Sequence, residues 1–478
     1  MKSTTSTDAR PIFGFFGSIL VLSLSVAAAT AAEPSYFRDT FGVVADSAGP
    51  APVDIESDSS LVWRVSLAPG HSSPCVVGDA IYLNTFDGGK LFTVCLDRAT
   101  GKTRWSHQAP NERIESYHPT GSPAVSTPAS DGERVYSFFG SYGMLCYDTA
   151  GKLLWKLPMG PFQDEFGSGS SPIVVDGRVL LNQDHDKDNF LICLDGATGN
   201  VVWRTPRDST RSYATPVVVN SAGKKQVIVA GALQMASYDL ENGNELWTIA
   251  GLARIVNTTP AVAGDMLYVA TWSPGGDPDA RAAMEPWDVA LKQWDKNNDQ
   301  KLTRDECDNK DVLDRFFRID LDQNTLLDQV EWVKYARVFE LAKNSVMALK
   351  LDGDSPTVPP RLVWQYDKGV PYVSSPLVYR GVVYLIKDGG ILTTFDATDG
   401  RVLKLGRVRG TGPYLASPIA GDGKVYVGSD RGMLTVLKAD GEWDTLAARD
   451  FAERIVSTPA LVDGRLYVRT EVALYCLK

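Results

Sequence analysis

At 478 residues, 44% hydrophobic and 22% charged, the chain is long enough to bury an extensive core and too apolar to be disordered. Its net charge of −10 at pH 7 comes without a basic tract, which excludes nucleic acid and anionic membrane surfaces as expected partners.

The first residues carry Lys2 and Arg10, then an apolar run over 11–29, then Ala29, Thr30, Ala31 and Ala32. A short basic start, an apolar stretch and a small-residue end mark residues 1–32 as a secretory signal peptide cleaved near Ala31 or Ala32. Ser and Gly interrupt the run, which speaks against a membrane anchor, and no cysteine stands near the cleavage site to take a lipid. No other segment has the length and apolarity of a spanning helix, so the mature chain is expected in the periplasm or secreted. Residues 33–60 read as an extended N-terminal segment.

From there a Ser/Thr-Pro pair recurs eight times, at Ser73-Pro74, Thr127-Pro128, Ser171-Pro172, Thr215-Pro216, Thr259-Pro260, Ser375-Pro376, Ser417-Pro418 and Thr458-Pro459. Successive prolines lie 54, 44, 44, 44, 116, 42 and 41 residues apart. Each pair opens an apolar run, a Gly-containing turn, a second run often holding Tyr, and a third run usually ending in Asp or Lys. A Gly turn and a Trp typically follow. A period near 44 with four short strands per unit is the signature of an all-β, eight-bladed β-propeller over residues 61–478. The eighth unit stops after its third strand at Lys478. Leu61-Val62-Trp63-Arg64 supplies the missing Trp strand, so the N-terminal strand is expected to close the ring and leave no open edge.

Cys95, Cys146, Cys193 and Cys476 share one repeat position, where other blades place Ser237, Ala348, Thr394 and Val436. That position wants a small, packable side chain, and equivalent positions in different blades stand too far apart for a bridge. Cys75 and Cys307 occupy unrelated places. No structural disulfide is expected.

The 116-residue spacing holds one repeat and a surplus, which falls between the second and third strands of blade five, over residues 273–344. A hairpin tip accepts such a module because its ends are close and exposed. Inside it, residues 295–306 have the spacing of an EF-hand calcium loop, with Asp295, Asn297, Asp299, the Lys301 carbonyl, Thr303 and Glu306 as ligands. Residues 320–331 repeat it with Asp320, Asp322, Asn324, the Leu326 carbonyl, Asp328 and Glu331. Short helices are expected over 286–294, 312–318 and 332–341. Gln300 and Thr325 replace the usual glycine at the sharp turn, where positive φ costs a β-branched residue most, so the first loop is expected to bind better. Solvated acidic turns are the plainer alternative, but two tandem twelve-residue matches each ending in Glu favour calcium.

The Leu-Asp-x-x-Thr-Gly-x-x-x-Trp ending, as in 194–203, resembles the pyrroloquinoline quinone (PQQ)-type propeller repeat. The resemblance covers residues 61–478 apart from the insertion. Two families share this architecture, the PQQ- and calcium-binding quinoprotein alcohol dehydrogenases and the non-enzymatic BamB-type outer-membrane assembly proteins. The dehydrogenases typically carry an adjacent Cys-Cys pair and long inter-blade loops, which this chain lacks. PQQ is therefore possible but not favoured, and no catalytic residue is assigned. The repeat tryptophans are expected to serve inter-blade packing.

Residues three to five positions before each proline should converge on one channel mouth. They include His71, Arg211, Tyr213, Asn257, Tyr372, Tyr414 and Arg454, a rim that could bind a small polar or anionic ligand or a peptide. A hydrated rim without a ligand is the equal alternative. The longer connections over 106–124 and 158–169 could cover it. Asp184, His185, Asp186 and Asp188 read as a solvated turn. The combined expectation is a calcium-binding scaffold with a protein, peptide or small polar partner at the propeller face. A PQQ-dependent oxidoreductase is the competing class, and a hydrolase or lyase at the funnel mouth a third.

Overall fold

Each unit of the repeat becomes one four-stranded antiparallel sheet, and there are eight of them. The structure is a computed structural model and describes Thr5 and residues 34–164, 166–277 and 283–478. Apart from Thr5, the segment read as a signal peptide lies outside the described residues. In blade three the strands run Ile173–Val175, Arg178–Gln183, Phe190–Asp195 and Val201–Pro206 from the channel outward. The middle two are covered on both faces by neighbouring blades and are therefore almost continuously buried. The outermost strand alternates between buried and exposed side chains, as a half-covered strand must.

Blade eight is completed by Leu61–Ser66, which pairs antiparallel with Ala473–Leu477 at the other end of the chain. Joining the first strand to the last removes the open edge that a linear array of blades would leave.

The tryptophans do pack between blades, and the geometry explains two features of the repeat. Six outer strands carry a Trp, which stands opposite the small residue of the third strand, as in Trp105 with Cys95 and Trp155 with Cys146. Except for Trp247, whose ring N–H donates to Gln226, the indole lies over the turn glycine of the next blade: a Cβ on Gly199 would come within 2.5 Å of Trp155, and one on Gly243 within 2.5 Å of Trp203. The ring N–H then donates to a carbonyl of that turn, Trp155 to Gly196 at 2.9 Å and Trp203 to Leu240 at 2.9 Å. All six cysteines are buried free thiols.

The Ser/Thr of each Ser/Thr-Pro pair links blades around the channel. Its side-chain oxygen accepts the backbone N–H of the same position in the preceding blade. Ser73 donates to Thr127 at 2.9 Å, Thr127 to Ser171 at 3.0 Å, Ser171 to Thr215 at 3.1 Å and Thr215 to Thr259 at 3.2 Å. The series continues through Ser375, Ser417 and Thr458.

The N-terminal segment crosses the face where the inner strands end. Ser35 bridges to Ser130 of blade two and Val43 to Ala420 of blade seven. Between them, the buried Arg38 guanidinium donates to the carbonyls of Pro376 at 2.7 Å and Pro418 at 3.1 Å. It meets no carboxylate there, and burial lowers its pKa to about 9.

In blade five, strands Met266–Thr271 and Ser345–Lys350 pair directly, and the residues between them form a helical insertion. Its elements are α1 (Trp287–Trp294), α2 (Lys310–Leu313), α3 (Phe316–Ile319) and α4 (Gln329–Leu341). Trp294, Leu302, Phe316, Ile319, Leu327 and Trp332 form a core of its own. The insertion is not merely peripheral. Val338 and Ala342 pack on Leu233 of blade four, Arg337 pairs with Asp208 at 3.0 Å, and Gln163 donates to the Leu321 carbonyl.

Candidate functional site

Two places carry chemistry. The first is a cavity of about 480 Å³ at the channel mouth. Four of the seven predicted rim residues line it: His71, Tyr213, Asn257 and Tyr372. The hydroxyl ring from Ser73 to Thr458 encircles it, and Phe37 of the crossing segment forms its floor. Both long connections reach it, the first through His118 and Thr120, the second through Phe166 and Gly167.

The other three predicted residues turn away. Arg211 is buried against Asp186, its Nε 2.5 Å from Oδ1. Tyr414 is buried within its blade and donates to the Arg409 carbonyl at 3.1 Å. Arg454 pairs with Asp430 at 2.8 Å. Sequence position placed them near the rim, but a carboxylate on the preceding blade's hairpin draws each arginine out of the channel, and a carbonyl of its own connection does the same for Tyr414. The turn with Asp184, His185 and Asp186 is likewise not solvated. All three are buried, Asp184 pairs with Arg207 at 2.8 Å, and the Asp186 N–H donates to the Gln163 carbonyl at 3.1 Å.

Every described lining residue is uncharged in type except His71 and His118; none is Asp, Glu, Lys or Arg. Burial, reinforced by Arg469 and Arg454 nearby, holds the His71 imidazole down at about 4, so it is neutral at ordinary pH. Two carboxyls stand behind the wall. Asp164 accepts the Tyr213 hydroxyl proton at 2.7 Å, and Glu115 accepts that of Ser168 at 3.0 Å. Burial raises Glu115 to about 8 and Asp164 to about 7. Gly140 makes room for the first of them, since a Cβ there would fall 2.0 Å from Glu115 Oε2.

The second place is the pair of acidic loops in the insertion, which fold alike. In the first, the Asp295 oxygens accept the N–H groups of Asp299 at 3.3 Å and Gln300 at 3.1 Å. In the second, those of Asp320 accept Asn324 at 3.0 Å and Thr325 at 2.8 Å. Asn297 and Asp322 each accept the N–H two residues on, and Asp299 and Asn324 do the same. The closing glutamates fold back over the loops. Glu306 accepts Lys296 at 3.2 Å and Thr303 at 2.9 Å, and Glu331 accepts Leu321 at 2.7 Å and Asp328 at 3.2 Å. Leu302 pairs with Leu327 and Thr303 with Leu326, so the loops lie back to back; Lys301 precedes this ladder. Asp328 also caps α4, completing a capping box with Glu331.

Ligand oxygens of Asp320, Asp322 and Glu331 lie within 4.8 Å of one another. Oxygen donors converging in this way could hold a hard cation. Gln300 has φ +65° and Thr325 φ +68°, the left-handed turn expected at that position. Lys187 of blade three reaches the second loop, its Nζ 3.5 Å from Asp322 Oδ2.

Sequence reasoning missed Phe37, Phe166 and Thr120 at the cavity. The recurring Ser/Thr signalled the hydroxyl ring, whereas nothing local marks Phe37, which arrives by a chain crossing.

The solved structures to which this chain is similar show the same fold. BamB from Moraxella catarrhalis aligns with a TM-score of 0.54 at 13% identity, covering 87% of this chain and 99% of that one. Quinohemoprotein alcohol dehydrogenase from Comamonas testosteroni aligns with a TM-score of 0.51 at 13% identity, covering 87% and 76%. The quinohemoprotein alcohol dehydrogenase ADHIIG from Pseudomonas putida HK5 gives 0.50 at 13% identity, covering 91% and 78%. No curated protein matches the chain. The family model for outer membrane protein assembly factor BamB matches residues 24–180 and 358–470, leaving out the stretch that holds the insertion. With more than half of its residues matched, the chain belongs to the family of outer membrane protein assembly factor BamB.

Proposed function

We propose that this protein is a calcium-binding propeller scaffold of the periplasm or cell exterior, holding a partner at the face that carries the channel mouth. The observation that carries the calcium reading is the congruence of the two EF-hand-type loops. Each holds carboxylate and amide oxygens inward by the same backbone N–H bonds and closes on a bidentate-capable glutamate. The first loop is the tighter site. Thr325 pays for positive φ as a β-branched residue, and the Lys187 ammonium competes with a cation at Asp322.

The assembly role is supported by the family and by contacts that tie the insertion to blades three and four. Among the described residues no helix is long and apolar enough to cross a membrane. The competing reading, a PQQ-dependent oxidoreductase, finds among the described lining residues no carboxylate to hold calcium and no Arg or Lys to pair an anionic quinone. That lining favours the scaffold over the cofactor.

The test is calorimetric titration of metal-stripped protein with Ca²⁺, then with PQQ. Calcium heat that Glu306→Gln and Glu331→Gln remove, with the propeller melt retained and no PQQ heat, is the expected result. Absence of calcium heat overturns the metal reading, and saturable PQQ binding puts the oxidoreductase first.

A further inference from the structure

The cavity has features that the calcium loops and the assembly role leave unused. Phe37, from the segment that crosses the opposite face, lines its floor. Its size is that of pockets that enclose small molecules. Since none of the described lining residues is Asp, Glu, Lys or Arg, an ion entering it would lose hydration with no charged side chain to contact, a cost that neutral ligands escape. The wall is nevertheless rich in hydrogen-bonding groups. Each ring hydroxyl that accepts a neighbouring N–H keeps its own proton to donate. Asn257 donates through Nδ2 to the Tyr372 carbonyl at 3.1 Å, which leaves its side-chain oxygen as an acceptor. Phe37, Phe166, Tyr213 and Tyr372 add aromatic faces at the floor and sides.

We infer that the channel-mouth cavity binds a neutral saccharide, the uncharged end of a glycan, through its hydroxyl ring and aromatic walls. This rests on the reading of that face as the ligand-holding one. A sugar offers many hydroxyls that both donate and accept, and apolar C–H faces that lie on aromatic rings. A peptide end fits less well, because its ammonium or carboxylate finds no charged partner among the described lining residues. The carboxyls behind Tyr213 and Ser168 keep their protons toward neutral pH and so add little charge to the wall.

The test uses the full mature chain loaded with calcium. Maltose, cellobiose and N,N′-diacetylchitobiose are the neutral probes, read by saturation-transfer NMR and calorimetry. A glucuronate disaccharide, a capped neutral tetrapeptide and PQQ are the contrasts. Thr120→Trp, at an exposed lip position, blocks the mouth without disturbing the core, and Tyr372→Ala removes an aromatic wall. Thermal melts confirm that both variants fold. At least one neutral disaccharide is expected to saturate, to bind about tenfold more weakly to Tyr372→Ala, and to be lost in Thr120→Trp. No binding by any neutral disaccharide overturns the inference, as does binding that survives Thr120→Trp. Binding of the peptide, glucuronate or PQQ probe in preference overturns it too. Calcium heat in the same sample separates the two readings: sugar failure with intact calcium binding refutes only the cavity's ligand.

Discussion

Trp63 lies over Gly101 and donates its indole N–H to the Arg98 carbonyl at 3.2 Å. The first strand of the propeller is thereby locked to blade one while it completes the sheet of blade eight. The same Trp-on-Gly contact joins blades one to two, two to three, three to four and five to six. The repeat thus encodes an interface as well as a strand.

Gly243 and Gly177 separate the two costs of replacing a turn glycine. Both have φ near +70°, at 72° and 71°, but a Cβ on Gly243 would stand 2.5 Å from Trp203 and one on Gly177 meets nothing within 4 Å. Gly177→Ala is expected to cost about 1 kcal/mol of backbone strain. Gly243→Ala should cost about 3 kcal/mol, because overpacking adds to that strain. Urea unfolding of the two variants measures the difference.

Thr215→Val keeps the shape of the side chain but removes the acceptor for the Ser171 N–H. A buried donor left unpaired costs about 1–3 kcal/mol, whereas Thr215→Ser should be nearly neutral. Equal destabilisation by both would show that the ring bonds add nothing.

Glu115 gives a pH dependence of definite sign. Its proton is held to about pH 8 in the folded chain, against an ordinary value of 4.5. The unfolded chain therefore ionises first as pH rises, and stability present below the ordinary value is lost progressively up to about 8. Asp164 acts in the same direction up to about 7. Glu115→Gln should flatten the decline of melting temperature across this window. An unchanged slope would show that the carboxyl is ionised in the folded state.

Thr325→Gly relieves a β-branched residue at φ +68° in the second loop. Removing roughly 1 kcal/mol of strain should tighten calcium there about fivefold without affecting the first loop. Titrations in a Glu306→Gln background isolate the site, and Lys187→Gln should act in the same direction.

The sequence by itself determined the ring of blades, its closing strand, the tryptophan contacts and the place of the insertion. These rest on local periodicity, turn residues and spacing, which are written along the chain and repeated eight times. It also marked the Asp320–Glu331 loop, because its converging carboxylates are neighbours in sequence. The cavity was half legible: His71, Tyr213, Asn257 and Tyr372 follow from repeat position alone. Arg211 and Arg454 do not, because each is drawn to a carboxylate of the preceding blade that only folding brings near, and Tyr414 turns back onto a carbonyl of its own connection. The burial of Asp184 and Asp186, the docking of the insertion on blade three and the Phe37 floor were decided by the tertiary structure. A side chain's solvent, unlike its strand, depends on which distant segment comes to lie over it.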